Sequence, residues 1–333
     1  MSKVSVLMPT YNCAAFLKES IESILTQTFK DFEFIIINDG STDASNNIIN
    51  EYVKQDSRIK YFVSEKNIGL IKTLNFGLTK ASGEYIVRMD ADDISLPERI
   101  EKQVKFMDAY KEICVCGTQV EYFGTFFSAP NLPCKDKSIK AHMIFNNTLA
   151  HPSVIIRNEF IKKNQLSYNL AFLHIEDYEL WTCVANKGRF ANLNEVLLKY
   201  RVHGQNISLK NGSTQKDGLR KIYAKVLEGL GIDSNKENIE LHTALAAQTK
   251  GISSLKKIKQ HAACLVEANI KTKLYDNNAL QQVVQEYWDK LFFLLADTNF
   301  NKVPNYWMLS GSIKACQVRY ALGVFRKKIF YTK

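Results

Sequence analysis

Val4-Ser-Val-Leu-Met8 runs into Pro9-Thr-Tyr-Asn12, Phe32-Glu-Phe-Ile-Ile-Ile37 into Asn38-Asp-Gly-Ser41, and Tyr85-Ile-Val-Arg-Met89 into Asp90-Ala-Asp-Asp93. Each is a short apolar run closed by polar or turn-forming residues, the pattern of a buried strand. Between them lie stretches with helical apolar spacing, at about residues 14–26, 44–55 and 70–79, and another short strand at 59–63. Strand and helix in alternation predict a parallel sheet with crossover helices. Ligands of such sheets bind beyond the carboxyl ends of the strands, and three of those ends are polar here.

Further on, short strands are expected at 153–157 and 196–202, and a helix at about 177–186. Asn211-Gly-Ser-Thr-Gln215 reads as a linker, and nearly everything beyond it reads as helix. The expected organisation is an α/β segment over 1–210 and a mainly helical one over 211–333. No repeat or low-complexity tract interrupts either.

The charge follows that division. The net charge is +10, yet residues 1–210 hold 25 Lys/Arg against 24 Asp/Glu, whereas 211–333 hold 19 against 10. The first segment therefore has no basic surplus for nucleic acid. A nucleic-acid module confined to 211–333 is a remote alternative. At the end of the chain Lys314, Arg319, Arg326, Lys327, Lys328 and Lys333 interleave with Leu322, Val324, Phe325, Ile329 and Phe330. A helix of that kind either lies on an anionic membrane surface or packs its apolar stripe on the rest of the chain. Seven cysteines are scattered, and Cys114 and Cys116 share a strand face with no second pair beside them. They read as free thiols in a reducing compartment rather than zinc ligands. No stretch approaches the ~20 apolar residues of a membrane span. The opening run, cut by Pro9, is too short for a signal peptide. The expected location is cytoplasmic, or peripheral at the inner face of a membrane.

Asp90-Ala-Asp92-Asp93 is the sharpest chemical feature. Carboxylates this close repel unless a cation compensates them, and Mn²⁺ or Mg²⁺ is the natural choice for an all-oxygen site. The plainer alternative is a solvated acidic turn ahead of the next helix. Glu176-Asp177-Tyr178-Glu179-Leu180-Trp181 puts an acidic pair at a helix start, where the helix dipole favours an ionised carboxylate and where Asp177 would also serve as a cap.

Val4–Asn12, Ile24-Leu-Thr-Gln-Thr-Phe29, Ile37-Asn-Asp-Gly-Ser-Thr-Asp43, Asn67-Ile-Gly69, Gly83-Glu-Tyr-Ile86 and Asp90–Asp93 together resemble the family 2 glycosyltransferases, in order and spacing, over about residues 3–207. The resemblance implies a GT-A fold, a Rossmann-like mixed sheet flanked by helices. It also implies inverting, metal-dependent transfer from a UDP-sugar donor to a glycan acceptor, as in surface polysaccharide assembly, where the acceptor can be polyprenyl-diphosphate-linked. It implies that Pro9 and Tyr11 flank the base, that Asp39 reads it, that Asp90 contacts the ribose and that Asp92 binds the metal. The acidic pair resembles the family's base motif, with Asp177 as the base and Glu176 orienting it or touching the acceptor. Trp181, one helical turn on, either stacks on the acceptor or is core. Tyr200-Arg-Val-His-Gly204 resembles a late family segment, which implies that His203 joins the metal or diphosphate and that Arg201 stands nearby as a positive charge. His151 resembles a residue near the acceptor. The polar loop 203–213 is expected to close over the donor. Two rivals share the amino-terminal signature. One is a polyprenyl-phosphate sugar synthase, whose ionised acceptor needs no carboxylate base. The other is an inactive nucleotide-sugar-binding scaffold.

Overall fold

The computed structural model describes residues 2–204, 212–246 and 254–330. The loop expected to close over the donor and the extreme basic terminus thus fall largely outside the described residues. The chain divides into two compact units, Met1–Ile139 with Asn147–Gly218, and Lys140–Asn146 with Leu219–Lys333.

The first unit alternates β1 (Val4–Thr10), α1 (Ala14–Leu25), β2 (Phe32–Asn38), α2 (Ser45–Gln55), β3 (Ile59–Val63), α3 (Leu70–Lys80) and β4 (Tyr85–Arg88). β5 (Ile94–Ser95), α4 (Arg99–Ala109), β6 (Ile113–Gly124), α5 (Asp136–His142, in this unit as far as Ile139), β7 (Ile155–Arg157), α6 (Asn158–Lys163), α7 (Glu176–Ala185) and β8 (Arg189–Val202) follow. Among the described residues the strands form one 8-stranded sheet in the order β3-β2-β1-β4-β7-β6-β8-β5. β1 and β2 are buried throughout, as their unbroken apolar runs require of a sheet covered on both faces. In α1 the buried Leu17, Ile21 and Ile24 recur at helical spacing and form the face turned to the sheet.

The sheet is not wholly parallel. β1, β2, β3 and β4 are parallel neighbours, but β7 runs antiparallel to both β4 and β6. β7 follows a 3₁₀ turn at His151–Ser153 rather than a crossover helix, so nothing forces it into the parallel direction. β8 runs parallel to β6, and their register shifts near Leu193 and Val196.

At the amino ends of the central strands Glu33 is buried opposite Ser5. Ser5 Oγ, the Ser82 N–H, Ser82 Oγ and Lys60 all donate to its carboxylate. Burial alone would raise its proton affinity, but these donors hold it down to about 2.

In the second unit the helix Asn277–Thr298 buries Leu280, Val284, Trp288, Leu291 and Leu295, and Trp288 stacks on Tyr306 at 4.9 Å. Residues 140–146, which the sequence reading puts with the α/β segment, belong to this unit. The Tyr223 hydroxyl donates to the Phe145 carbonyl at 2.7 Å, and His242 Nε2 lies 2.8 Å from the Ile144 carbonyl. His242 stacks on Phe145, and its Nδ1 is 3.2 Å from His261 Nε2.

Candidate active site

The acidic turn leaves the carboxyl end of β4. Oxygens of Asp90, Asp92 and Asp93 all lie within 4.8 Å of one another. Asp93 is buried; its Oδ1 accepts the Arg201 N–H at 2.8 Å, while Oδ2 has no protein partner. Burial and the charges of Asp90 and Asp92 push its proton affinity well above the carboxylate range. Asp92 is raised by burial and by Asp90, against the opposing pull of His203, whose Nε2 lies 2.9 Å from its Oδ2. Asp90 Oδ1 accepts from Arg88 Nη2 at 2.6 Å. Arg88 is itself buried and also donates to the Met89 carbonyl.

Arg201 and His203, at the end of β8, converge on this turn. Arg201 Nε donates to the Asp92 carbonyl at 2.7 Å, and Nη2 pairs with Glu19. Its guanidinium lies over the rings of Phe16 and Phe123, at 4.9 and 4.5 Å. The His203 ring is 4.6 Å from Phe16. One face of α1 thus holds both basic residues against the acidic turn.

The loops after β1 and β2 are laced together. The Ile68 and Gly69 N–H groups donate to the two oxygens of Asp39, at 2.8 and 2.9 Å. The Asn12 N–H donates to Ser41 Oγ at 2.9 Å and the Thr42 N–H to Asn12 Oδ1 at 2.8 Å. Gly40 has φ +67°, and a Cβ there would sit 2.5 Å from the Lys66 carbonyl carbon, so only glycine admits that strand of backbone. Pro9 is buried within β1, opposite Ile37. Tyr11 is 46% exposed, so its ring is not part of the core.

At the start of α7, Asp177 Oδ1 accepts the Tyr178 N–H at 2.7 Å and Oδ2 accepts from Asn147 Nδ2 at 2.8 Å. Ile175 holds the cap position, so Asp177 lies in the first turn and does not cap. Burial raises its proton affinity to about 6. Glu176, buried with Oε2 unpartnered, is raised by burial and by Asp177 to about 7. The positive charge of Arg88 acts on both, opposing the rise.

Two expected acceptor contacts are corrected. Trp181 is 0% exposed, so its ring has no face open to a sugar and belongs to the core. His151 is likewise interior: its Nε2 is 2.8 Å from the Tyr168 hydroxyl, and burial holds the imidazole neutral.

The family model described as Glycosyl transferase family 2 matches residues 5–169. A glycosyltransferase of Haemophilus influenzae is 35% identical over 245 residues, 69% of this chain and 76% of its own length. The chain belongs to glycosyl transferase family 2. This glycosyltransferase is also 36% identical to the O-antigen biosynthesis glycosyltransferase WbnJ of Escherichia coli, over 66% of its own chain and 84% of that one. The solved structure of Staphylococcus aureus TarS 1–349 in complex with UDP-GlcNAc matches it with a TM-score of 0.61 at 19% identity, covering 93% of this chain and 91% of that one. That likeness concerns the fold, which is GT-A: a mixed sheet with helices on its flanks and helices at the carboxyl-terminal end.

The acidic turn of the glycosyltransferase suits a divalent cation. It offers only hard oxygen ligands, and the buried Asp93 Oδ2 lacks any protein donor. Sequence reasoning missed Arg99, Asn147, Tyr168 and Glu19. Arg99 is wholly buried, donates to the Arg88 carbonyl at 2.6 Å and is lowered by burial to about 9. No motif marks these four, and an arginine on an amphipathic helix reads as solvated. Among the described residues no helix is long and apolar enough to cross a membrane.

Proposed function

We propose that this glycosyltransferase moves a hexose or N-acetylhexosamine from a UDP-sugar to a sugar hydroxyl of a growing surface glycan, with inversion at the anomeric carbon and dependence on Mn²⁺ or Mg²⁺. One observation carries the reading. The charge of buried Arg88 links a carboxylate cluster suited to a cation with a second carboxylate pair tuned close to neutrality. Asp92 and His203 would hold the metal, with Asp90 and Asp93 beside them. When bound, the metal supplies positive charge to the leaving diphosphate. Asp39, Pro9, Tyr11 and Asp90 receive the nucleoside, and Arg201 fixes the Asp92 backbone. Asp177 takes the proton of the attacking hydroxyl, and Glu176 orients the acceptor. A single displacement from an α-linked donor yields a β-glycoside. The O-antigen role in the name of WbnJ and the UDP-GlcNAc bound to TarS support the substrate class. A polyprenyl-diphosphate-linked glycan is the acceptor class that fits.

A donor screen by nucleotide release tests this. With Mn²⁺, one UDP-sugar should release UDP, and release should vanish in Asp92→Ala and after chelation. Equal release in the chelated sample would remove the metal from the mechanism, and release from a GDP- or dTDP-sugar instead would overturn the donor class.

A further inference from the structure

The end of the helical unit leaves apolar surface uncovered. In the helix Ala315–Phe330, Gln317 and Ala321 face inward, and Tyr320 meets Phe293 edge-on with its hydroxyl on Asp297. Val318, Leu322 and Phe325, at i, i+4 and i+7, line one outer flank, with Leu322 53% and Phe325 49% exposed. Just before this helix Ile313 is 58% exposed and Met308 74%. Single exposed apolar residues are ordinary, but a stripe of them marks an interaction surface.

The basic surplus of the same stretch of sequence identifies the partner. In the sequence no Asp or Glu follows Asp297, whereas Lys302, Arg319, Arg326, Lys327, Lys328 and Lys333 do; Lys314 is already paired with Asp289. Arg319 is exposed on the same helix, one residue beyond Val318. A second copy of this chain would set the same cations against each other, which disfavours self-association through this face. An anionic bilayer complements both features: the apolar stripe enters the acyl boundary and the cations stay at the phosphates. We infer that this flank of the terminal helix seats the enzyme on an anionic phospholipid surface without crossing it. The inference does not depend on the donor chemistry, since vesicle binding and UDP release are read separately.

Flotation of the full chain with vesicles tests it. The protein should float with phosphatidylcholine vesicles containing phosphatidylglycerol and stay behind with phosphatidylcholine alone. Binding should weaken as salt shortens the screening length. Arg319→Glu should reduce partitioning by more than roughly fivefold, the contribution of one basic side chain. The pair Val318→Glu/Leu322→Glu should reduce it by at least about tenfold, with far-UV circular dichroism and UDP release unchanged, since both side chains are exposed. Equal flotation with neutral vesicles, no flotation at all, or binding indifferent to the pair would overturn the inference. So would a dimer, seen by light scattering, that the same pair dissolves.

Discussion

Asp177 is pulled two ways. Burial disfavours its charge, while the Tyr178 N–H, the Asn147 amide and the Arg88 charge favour it, and the balance falls at about 6. A base at that value is ionised in neutral solution yet still takes up a proton readily. Asp177→Asn should therefore lower turnover by about 10²–10⁴-fold and leave UDP affinity by calorimetry near wild type. A variant that loses both equally would assign the residue to donor binding. The base must be deprotonated, so kcat/KM should rise with pH between about 6 and 7 and level off above. The apparent value belongs to the Glu176–Asp177 pair rather than to either member. A profile flat down to pH 5 would exclude the pair as base. The aspartates were legible in the sequence because polar residues at the ends of apolar runs stand out. Trp181 stayed open between acceptor and core because i, i+4 spacing gives two residues one helix face without saying how far inward a large side chain turns.

At the level of elements, β1 to β4 were readable because each is an unbroken apolar run ended by turn residues. β8 was only half read, since Asn192, Asn194 and Glu195 break its apolar pattern just where the register with β6 shifts. The reversed direction of β7 left no trace in three residues. The loop joining β2 to α2 depends on Gly40. A Cβ there would push away the 66–67 backbone and with it the amides on Asp39. Gly40→Ala should destabilise the protein by about 1–3 kcal/mol and weaken UDP binding more than Asp177→Asn does; unchanged UDP affinity would detach that loop from the donor. At the opposite sheet end, Glu33→Ala should cost about 1–3 kcal/mol by leaving its donors without an acceptor, with donor affinity intact. Because Glu33 is held below its ordinary 4.5, its stabilisation is present above that pH and is lost as pH falls towards 2. Denaturant titrations of both proteins at pH 7 and pH 3 would show it, as a gap that narrows in acid.

Over the whole chain the two units respond to acid through different groups. In the helical unit, burial keeps His242 at about 3 and His261 at about 4, below the ordinary 6.5. Each binds fewer protons folded than unfolded, so this stabilisation is complete above about pH 6.5 and is lost on descent towards those values. The helical unit should lose about 5 kcal/mol between pH 7 and pH 4.5. His242→Gln/His261→Gln should flatten that loss in thermal unfolding followed near 222 nm; an equally steep loss in the variant would place the acid sensitivity elsewhere. The pair was invisible in the sequence because nineteen positions separate its members. The transfer of residues 140–146 to this unit was equally hidden, since reading a chain by consecutive segments cannot show an exchange of seven residues between them.

His203 stands 111 positions after the aspartate it touches, and the strand that delivers it is the last of the sheet to be synthesised. A ribosome therefore exposes the acidic turn, offset only by Arg88, long before Arg201 and His203 exist. Through that interval the nascent chain carries clustered negative charge lacking the histidine that pairs with it, and the cluster is completed only when the final strand pairs with β6. A messenger truncated before codon 189 would yield seven of the eight strands and an acidic turn without its histidine.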